Sequence, residues 1–118
     1  MKEKKVQFPA AIRKAALAVE SDIEGFRGYL FQGADGSQAV FWESDVEAAV
    51  KPDSHDFDEY CLVVEGSCEE TIDGQLRVLR AGDEIFIPAG TVHSARVLPG
   101  YRAIDYFGGP RVHYKEAR

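Results

Sequence analysis

The sequence is poor in the residues that build many common sites. Its 118 residues include two cysteines, three histidines, one methionine and one tryptophan. Cys61 and Cys68 fit neither a Cys-x-x-Cys pair nor a zinc knuckle, which excludes a disulfide framework and a cysteine-rich zinc site but leaves a single bridge open. With so few histidines, any histidine-based site must be a single small one.

Long apolar runs and an excess of basic residues are also missing. No segment reaches the ~18 apolar residues of a membrane-spanning helix, and the first residues, Met-Lys-Glu-Lys-Lys, lead into no apolar signal region. The 20 acidic residues outnumber the 14 Lys and Arg, for a net charge of −6, whereas nucleic acids and anionic membranes select clustered basic residues. We therefore expect a cytoplasmic protein with reduced cysteines that binds neither nucleic acid nor membrane.

The chain instead has the features of a small β-protein. Its length and its 45% content of hydrophobic residues suit one domain with one core. Turn signals separate short segments of strand-forming residues, which predict strands over 26–31, 38–43, 59–65, 68–72, 76–79, 84–87, 91–98 and 102–107. Asp73-Gly74 supplies the positive φ angles of a type I′ hairpin turn. The pattern predicts an all-β sandwich or barrel.

The two ends of the chain differ from its middle. We divide the chain into an N-terminal leader (1–24), a barrel domain (25–110) and a polar C-terminal tail (111–118). Apolar residues at helical spacing in the leader fit a short helix. Pro9 and Gly25 near its limits fit extended or irregular structure instead, and we prefer that interpretation.

The segment before the third predicted strand carries the most informative polar residues. On an extended chain alternate residues share a face, which would place together Asp53, His55, Phe57 and Glu59. Carboxylate and imidazole donors mixed in this way suit a divalent metal such as Fe, Mn, Ni or Zn. Another histidine, His93, follows the turn Pro88-Ala89-Gly90 and begins an apolar segment.

These two stretches resemble the motifs of the cupin superfamily, the RmlC-like jelly-roll barrels. The first cupin motif, Gly-x5-His-x-His-x3or4-Glu-x6-Gly, is matched here by Asp53-x-His55-x3-Glu59-x6-Gly66. The second, Gly-x5-Pro-x-Gly-x2-His-x3-Asn, is matched by Gly82-x5-Pro88-x-Gly90-x2-His93. The resemblance covers residues 38–107 and implies a jelly-roll fold with His55, Glu59 and His93 as metal ligands.

The sequence departs from the family pattern in three places. Glu47 occupies the position of the opening glycine and Val97 that of the closing asparagine. Both substitutions are tolerable changes in a turn or in packing. Asp53 stands where cupins have their first metal-binding histidine. If Asp53 binds, two imidazoles and two carboxylates make a harder site. If it points away, the remaining residues form the two-histidine-one-carboxylate face known from non-haem Fe(II) oxygenases.

For the other polar residues near these motifs and in the tail, we expect simple burial or exposure. Cys61 continues the inward face of Glu59 and should be a buried small residue rather than a reactive thiol. Asp56 and Asp58 should face water, and His113 should lie at the surface.

Three functions remain open from the sequence. The first is a metal-dependent enzyme acting on a small carboxylated or hydroxylated metabolite held in the barrel, with the reaction class undetermined because one fold hosts many reactions. The second is a non-catalytic module that binds or senses a metal or a small ligand. The third is an assembly protein, since small cupins usually form homodimers and barrel edges can supply an interface.

Overall fold

A computed structural model of the chain describes residues 7–114. Within them it contains one short helix, α1 (Ala10–Ala15), and ten β-strands. The strands are β1 (Leu17–Ala18), β2 (Phe26–Gln32), β3 (Gln38–Ser44), β4 (Ala48–Asp53), β5 (Glu59–Glu65), β6 (Ser67–Ile72), β7 (Gln75–Arg80), β8 (Glu84–Ile87), β9 (His93–Val97) and β10 (Tyr101–Phe107). The all-β prediction is confirmed, and every strand predicted from the sequence is present.

The strands form two antiparallel sheets. One has the order β1-β2-β3-β10-β5-β8 and the other the order β4-β9-β6-β7. Apolar side chains from both sheets meet in a shared core, which includes Val63, Cys68, Val97 and Ala103. A second buried cluster, around Leu30, Val40 and Phe107, continues the core along the larger sheet. Both cysteines are buried and form no disulfide.

Strand β4 was not predicted from the sequence. Its last residues, Lys51-Pro52-Asp53, combine charge with proline, which has no N–H to donate to a ladder. The strand tolerates this composition because it lies at the edge of its sheet, paired only with β9.

The β6–β7 hairpin has the predicted turn. Ile72 pairs with Gln75, and the two residues between them have positive φ angles, 50° at Asp73 and 81° at Gly74. Glycine is required more strictly at Gly66, between β5 and β6, where φ is +73°. A Cβ atom there would lie 2.7 Å from the carbonyl oxygen of Gly100. The closing glycine of the first motif therefore permits a close backbone approach.

The described parts of the leader and tail, residues 7–24 and 111–114, lie against the barrel, whereas residues 1–6 and 115–118 of these two segments lie outside the described residues. The preference for extended structure in the leader is wrong for α1 and right for β1, which pairs with β2. The N–H of Phe8 donates a 2.7 Å hydrogen bond to Oε2 of the buried Glu43. At the other end, the buried side chain of Gln38 accepts hydrogen bonds from the N–H groups of Arg111 and Val112.

Among residues 7–114, no helix is long and apolar enough to cross a membrane.

Candidate metal centre

Three of the predicted ligands lie together at one end of the barrel. Glu59 is the first residue of β5 and His93 the first of β9, so they come from different sheets. His55 lies in the connection between β4 and β5, which is not a strand. The expectation of a continuous extended segment from 53 to 59 was therefore wrong. His55 reaches Glu59 because the connection bends, not because alternate residues share a face.

Hydrogen bonds join this connection to the turn before β9. The N–H of Gly90, where φ is +82°, donates to the carbonyl oxygen of His55 at 2.7 Å. The N–H of Ala89 donates to Oδ1 of Asp58 at 3.0 Å. These contacts bring the two sequence motifs together and so place both histidines at one point. Asp58 is exposed as predicted, but it also has this structural contact.

The two histidines converge on one carboxylate oxygen. Oε1 of Glu59 lies 3.2 Å from Nε2 of His55 and 3.1 Å from Nε2 of His93. One ligand atom from each of the three residues lies within 4.8 Å of the others. The three side chains are 7–8% exposed. This spacing is compact enough for one ion to contact all three groups.

The other ring nitrogens fix the direction of the histidine lone pairs. Nδ1 of His55 lies 2.8 Å from the carbonyl oxygen of Phe57, and Nδ1 of His93 lies 2.9 Å from that of Thr91. A carbonyl oxygen only accepts, so both Nδ1 atoms carry hydrogen and donate. In the neutral rings, both Nε2 lone pairs then face the Glu59 carboxylate. A metal ligand usually has this type of backbone contact on its second nitrogen.

The donor set fits a cation between its members. Without one, lone pairs and a negative charge would face each other at close range. The carboxylate of Glu59 raises the pKa of His93 against the opposing effect of burial, because it stabilises a positive charge on the ring. Nε2 of His93 is buried and has no hydrogen-bond partner among the described residues, although Oε1 of Glu59 lies 3.1 Å away. The face of His55 is supported by the ring of Phe57, stacked with centroids 4.4 Å apart.

Asp53 does not join this group. It lies opposite His93 in the β4–β9 register. Its side chain is 54% exposed, and Oδ2 lies 3.5 Å from Nη1 of Arg111. The structure thus has the arrangement expected if Asp53 points away, with two histidines and one carboxylate.

The chain matches a family model described as a cupin domain over residues 40–100. This stretch is more than half of the chain. The chain belongs to the cupin family. Its β-sandwich is the jelly roll of that family, and both motifs lie within the matched residues. A search of curated proteins gives no match for this cupin.

Solved structures with the same fold are numerous. KdgF from Halomonas sp. is 29% identical with a TM-score of 0.68, over 79% of this chain and 86% of that one. An RmlC-like cupin from Shewanella frigidimarina is 26% identical with a TM-score of 0.70, over 89% and 90% of the two chains. Oxalate decarboxylase from Bacillus subtilis is 17% identical with a TM-score of 0.69, over 80% of this chain and 27% of that one. At that identity the last comparison shows only the fold.

A cavity of about 200 Å³ lies between the two sheets of this cupin and reaches the candidate metal centre. Glu59 and His93 form part of its wall. Most of the remaining wall is apolar and includes Phe26, Trp42, Val50, Val97, Tyr101, Phe107 and Val112. A concave, largely apolar space beside a few converging polar groups is typical of a small-molecule site.

Three further polar residues of this wall were not predicted from the sequence. They are Glu70 on β6, Asp105 on β10 and Arg111, which follows β10. Each has a buried side-chain atom that finds no hydrogen-bond partner within residues 7–114: Oε2 of Glu70, Oδ1 of Asp105 and Nε of Arg111. The alternation of β6 gave a weak signal for Glu70, because it lies two residues from the apolar Cys68. Arg111 gave none, since it lies in the predicted polar tail.

Burial dominates the electrostatics of the two acids. It raises the pKa of Glu70 to about 8, with a further contribution from the charge of Asp105. Burial also raises the pKa of Asp105, and the charge of Glu59 adds to this effect. Arg111 acts in the opposite direction on Asp105. The cavity therefore contains carboxyl groups that favour the neutral form more than ordinary acids do.

Three other residues near the site have the burial or exposure that the sequence predicts. Cys61 is 3% exposed, and burial raises the pKa of its thiol, as expected for an unreactive core residue. Asp56 and His113 are exposed, as predicted.

Proposed function

We propose that the protein is a metal-dependent enzyme that acts on a small carboxylated or hydroxylated metabolite held in the barrel. His55, Glu59 and His93 are the proposed ligands of a divalent ion, Fe, Mn, Ni or Zn. The observation that carries this proposal is the convergence of two fixed Nε2 lone pairs and a carboxylate on one point. Such mixed nitrogen and oxygen donors suit first-row divalent metals.

The chain's own residues supply binding and orientation. A bound ion would act as a Lewis acid at a substrate oxygen. Three protein ligands leave coordination positions free for the substrate, as catalytic metal sites require. Arg111 is the cationic residue of the cavity wall, so it can attract a substrate carboxylate. The apolar wall around Trp42 and Phe107 limits the water around the bound molecule.

The metal claim is tested by elemental analysis of protein purified without an affinity tag. Wild type and His113→Ala are expected to contain about one transition-metal ion per chain, because His113 lies outside the triad of His55, Glu59 and His93. His93→Ala is expected to lose most of it. If wild type contains no stoichiometric metal and takes up none of the four candidates, the proposal fails.

A non-catalytic binding module is the alternative function. It would bind metal in the same residues but hold the coordination sphere closed. Water relaxation measured on the Mn(II)-loaded protein separates the two functions. Rapidly exchanging water on the ion supports the enzyme, and its absence supports the binding module.

Two further features remain proposals. We propose a homodimer, as expected from the family resemblance, and exposed apolar side chains on strands β7 and β8, such as Leu76, Val78 and Phe86, support an interface there. Sedimentation velocity at micromolar concentration tests it, and a monomer would reject it. The cytoplasmic location predicted from the sequence stays a prediction.

A further inference from the structure

Buried polar atoms without partners are concentrated in the cavity. Six such side-chain atoms occur among the described residues, and four of them belong to residues of the cavity wall. These four are in Glu70, His93, Asp105 and Arg111. Folded proteins rarely leave buried polar atoms unpaired unless water, an ion or a ligand completes them. A metal ion would complete Nε2 of His93, and a polar ligand or ordered water in the cavity would complete the atoms of the other three residues.

Glu70 is the member of this group whose burial is least explained by contacts within the protein. Its side chain is 6% exposed, and no hydrogen bond or ion pair of it occurs among the described residues. The preceding residue, Glu69, shows the contrast, because it faces outward and accepts a hydrogen bond from Arg96 at 3.2 Å. A buried carboxyl without a partner weakens the fold. Its location in the cavity instead suits a contact with a bound molecule.

The sheet register places Glu70 beside the metal centre. Glu70 pairs with Ala95, and Ile72 pairs with His93, so Glu70 and His93 are diagonal neighbours on the same face. Diagonal neighbours of an antiparallel pair lie about 7–8 Å apart. Glu70 is not a member of the triad. A molecule with one end at the triad can therefore reach Glu70 with a group a few bonds away.

We propose that Glu70 is a specificity-determining residue that hydrogen-bonds a hydroxyl group of the ligand, whose carboxylate lies at the metal centre. The ligand class is then a small hydroxy acid with the hydroxyl remote from the carboxylate. This inference rests on the function proposed above. A hydroxyl can donate to an ionised carboxylate and can also bond to a neutral carboxyl, so the contact forms in either state of Glu70.

The charged and titratable groups that act most strongly on Glu70 belong to β9 of the same sheet and to two strands of the other sheet. They are Asp105 on β10, Glu59 on β5 and His93 on β9. The buried thiols of Cys61 and Cys68 lie within range of its charge as well. Two of these neighbours are acids, so a second carboxylate of a ligand would be repelled here, whereas a hydroxyl would not. This arrangement selects an uncharged polar group at the Glu70 end of the cavity.

The test compares two probes of equal size and charge. Binding of 4-hydroxybutyrate and of pentanoate, in which a methyl group replaces the hydroxyl, is measured by calorimetry on the metal-loaded protein. We expect wild type to favour 4-hydroxybutyrate by about tenfold, in keeping with one hydrogen bond to a carboxyl group. Glu70→Met should lose the preference. The control Glu69→Met should retain it.

The outcomes separate this inference from the proposed function. Glu70→Met is expected to take up as much metal as wild type and to melt at the same temperature or higher, because an unpaired buried acid has been removed. If wild type binds no metal, the proposed function is contradicted. Equal affinity of wild type for the two probes, failure to bind either, or an unchanged preference in Glu70→Met contradicts the role of Glu70. Glu70→Ala repeats the comparison with a smaller side chain if the methionine variant does not fold.

Discussion

Nε2 of His93 lies 3.1 Å from Oε1 of Glu59, although the two residues belong to different sheets. The candidate site therefore joins the two halves of the barrel. An ion that binds both residues connects β5 to β9 and stabilises only the folded chain.

Metal should consequently raise the melting temperature. A metal at one hundred times its dissociation constant adds about 2.7 kcal/mol to the free energy of unfolding. We expect this increase in wild type and in His113→Ala, and its loss in His93→Ala, measured by differential scanning calorimetry with and without Zn(II). An equal increase in all three proteins would contradict the assignment.

Gln38 should determine both stability and the position of Arg111. Its Oε1 accepts hydrogen bonds from the N–H groups of Arg111 at 2.8 Å and Val112 at 2.9 Å. Gln38→Leu leaves these donors unpaired, and we expect it to lower the free energy of unfolding by about 2 kcal/mol or more. Urea denaturation measures the change.

Gln32→Leu is the matched control for Gln38→Leu. Gln32 is exposed and accepts one side-chain hydrogen bond from Gln38 at 3.1 Å. Its replacement should change the free energy of unfolding by no more than about 0.5 kcal/mol. Similar losses in the two variants would contradict the role given to Gln38.

The stability of the metal-free protein should fall as pH rises from about 5 to about 8. Burial raises the pKa of Glu70 from 4.5 to about 8, so in this range the folded chain holds a proton that the unfolded chain has lost. Folding is then favoured at low pH and weakened as pH rises through the folded pKa. The raised pKa of His93 acts with the same sign.

Between about pH 5 and about pH 8, the free energy of unfolding should fall less in Glu70→Gln than in wild type. The difference should exceed about 1 kcal/mol, the equivalent of one pKa unit. Glu69→Gln should follow wild type, because Glu69 lies on the outer face of the same strand. Denaturation at several pH values provides the comparison. A slope that is unchanged by Glu70→Gln would show that another group carries it.

Two glycines with similar backbone angles should respond differently to alanine. Gly74→Ala meets no atom within 4 Å and bears only the cost of its positive φ, about 1 kcal/mol. Gly66→Ala also meets the carbonyl oxygen of Gly100 at 2.7 Å. We expect a loss of at least twice that of Gly74→Ala in the free energy of unfolding. Equal losses in the two variants would mean that the backbone at Gly100 moves away from position 66 without a cost in free energy.

The sequence was sufficient for most of the fold because the signals were local. Alternating strand residues and the Asp73-Gly74 turn specify neighbouring segments, and the predicted hairpin formed with the expected φ angles. The edge strand β4 carried no such signal, since Pro52 and the charged residues around it resemble a loop. Its existence depends on pairing with β9, which is distant in the sequence.

The site was predictable only where motif spacing encodes it. His55, Glu59 and His93 were found by spacing and lie together. Asp53 shared the same spacing, but Arg111, 58 residues further along the chain, lies 3.5 Å from its carboxylate. Glu70 and Asp105 resemble ordinary polar residues of half-buried strands. Only the packing of the two sheets shows that they line one cavity.

A crystal structure of the protein grown with Zn(II) tests the assignment of His55, Glu59 and His93 as ligands of one ion. We expect an anomalous difference peak about 2.0–2.2 Å from Nε2 of His55, an oxygen of Glu59 and Nε2 of His93, and no such peak in crystals of His93→Ala. No peak at these three atoms, or a peak that persists in His93→Ala, would contradict it.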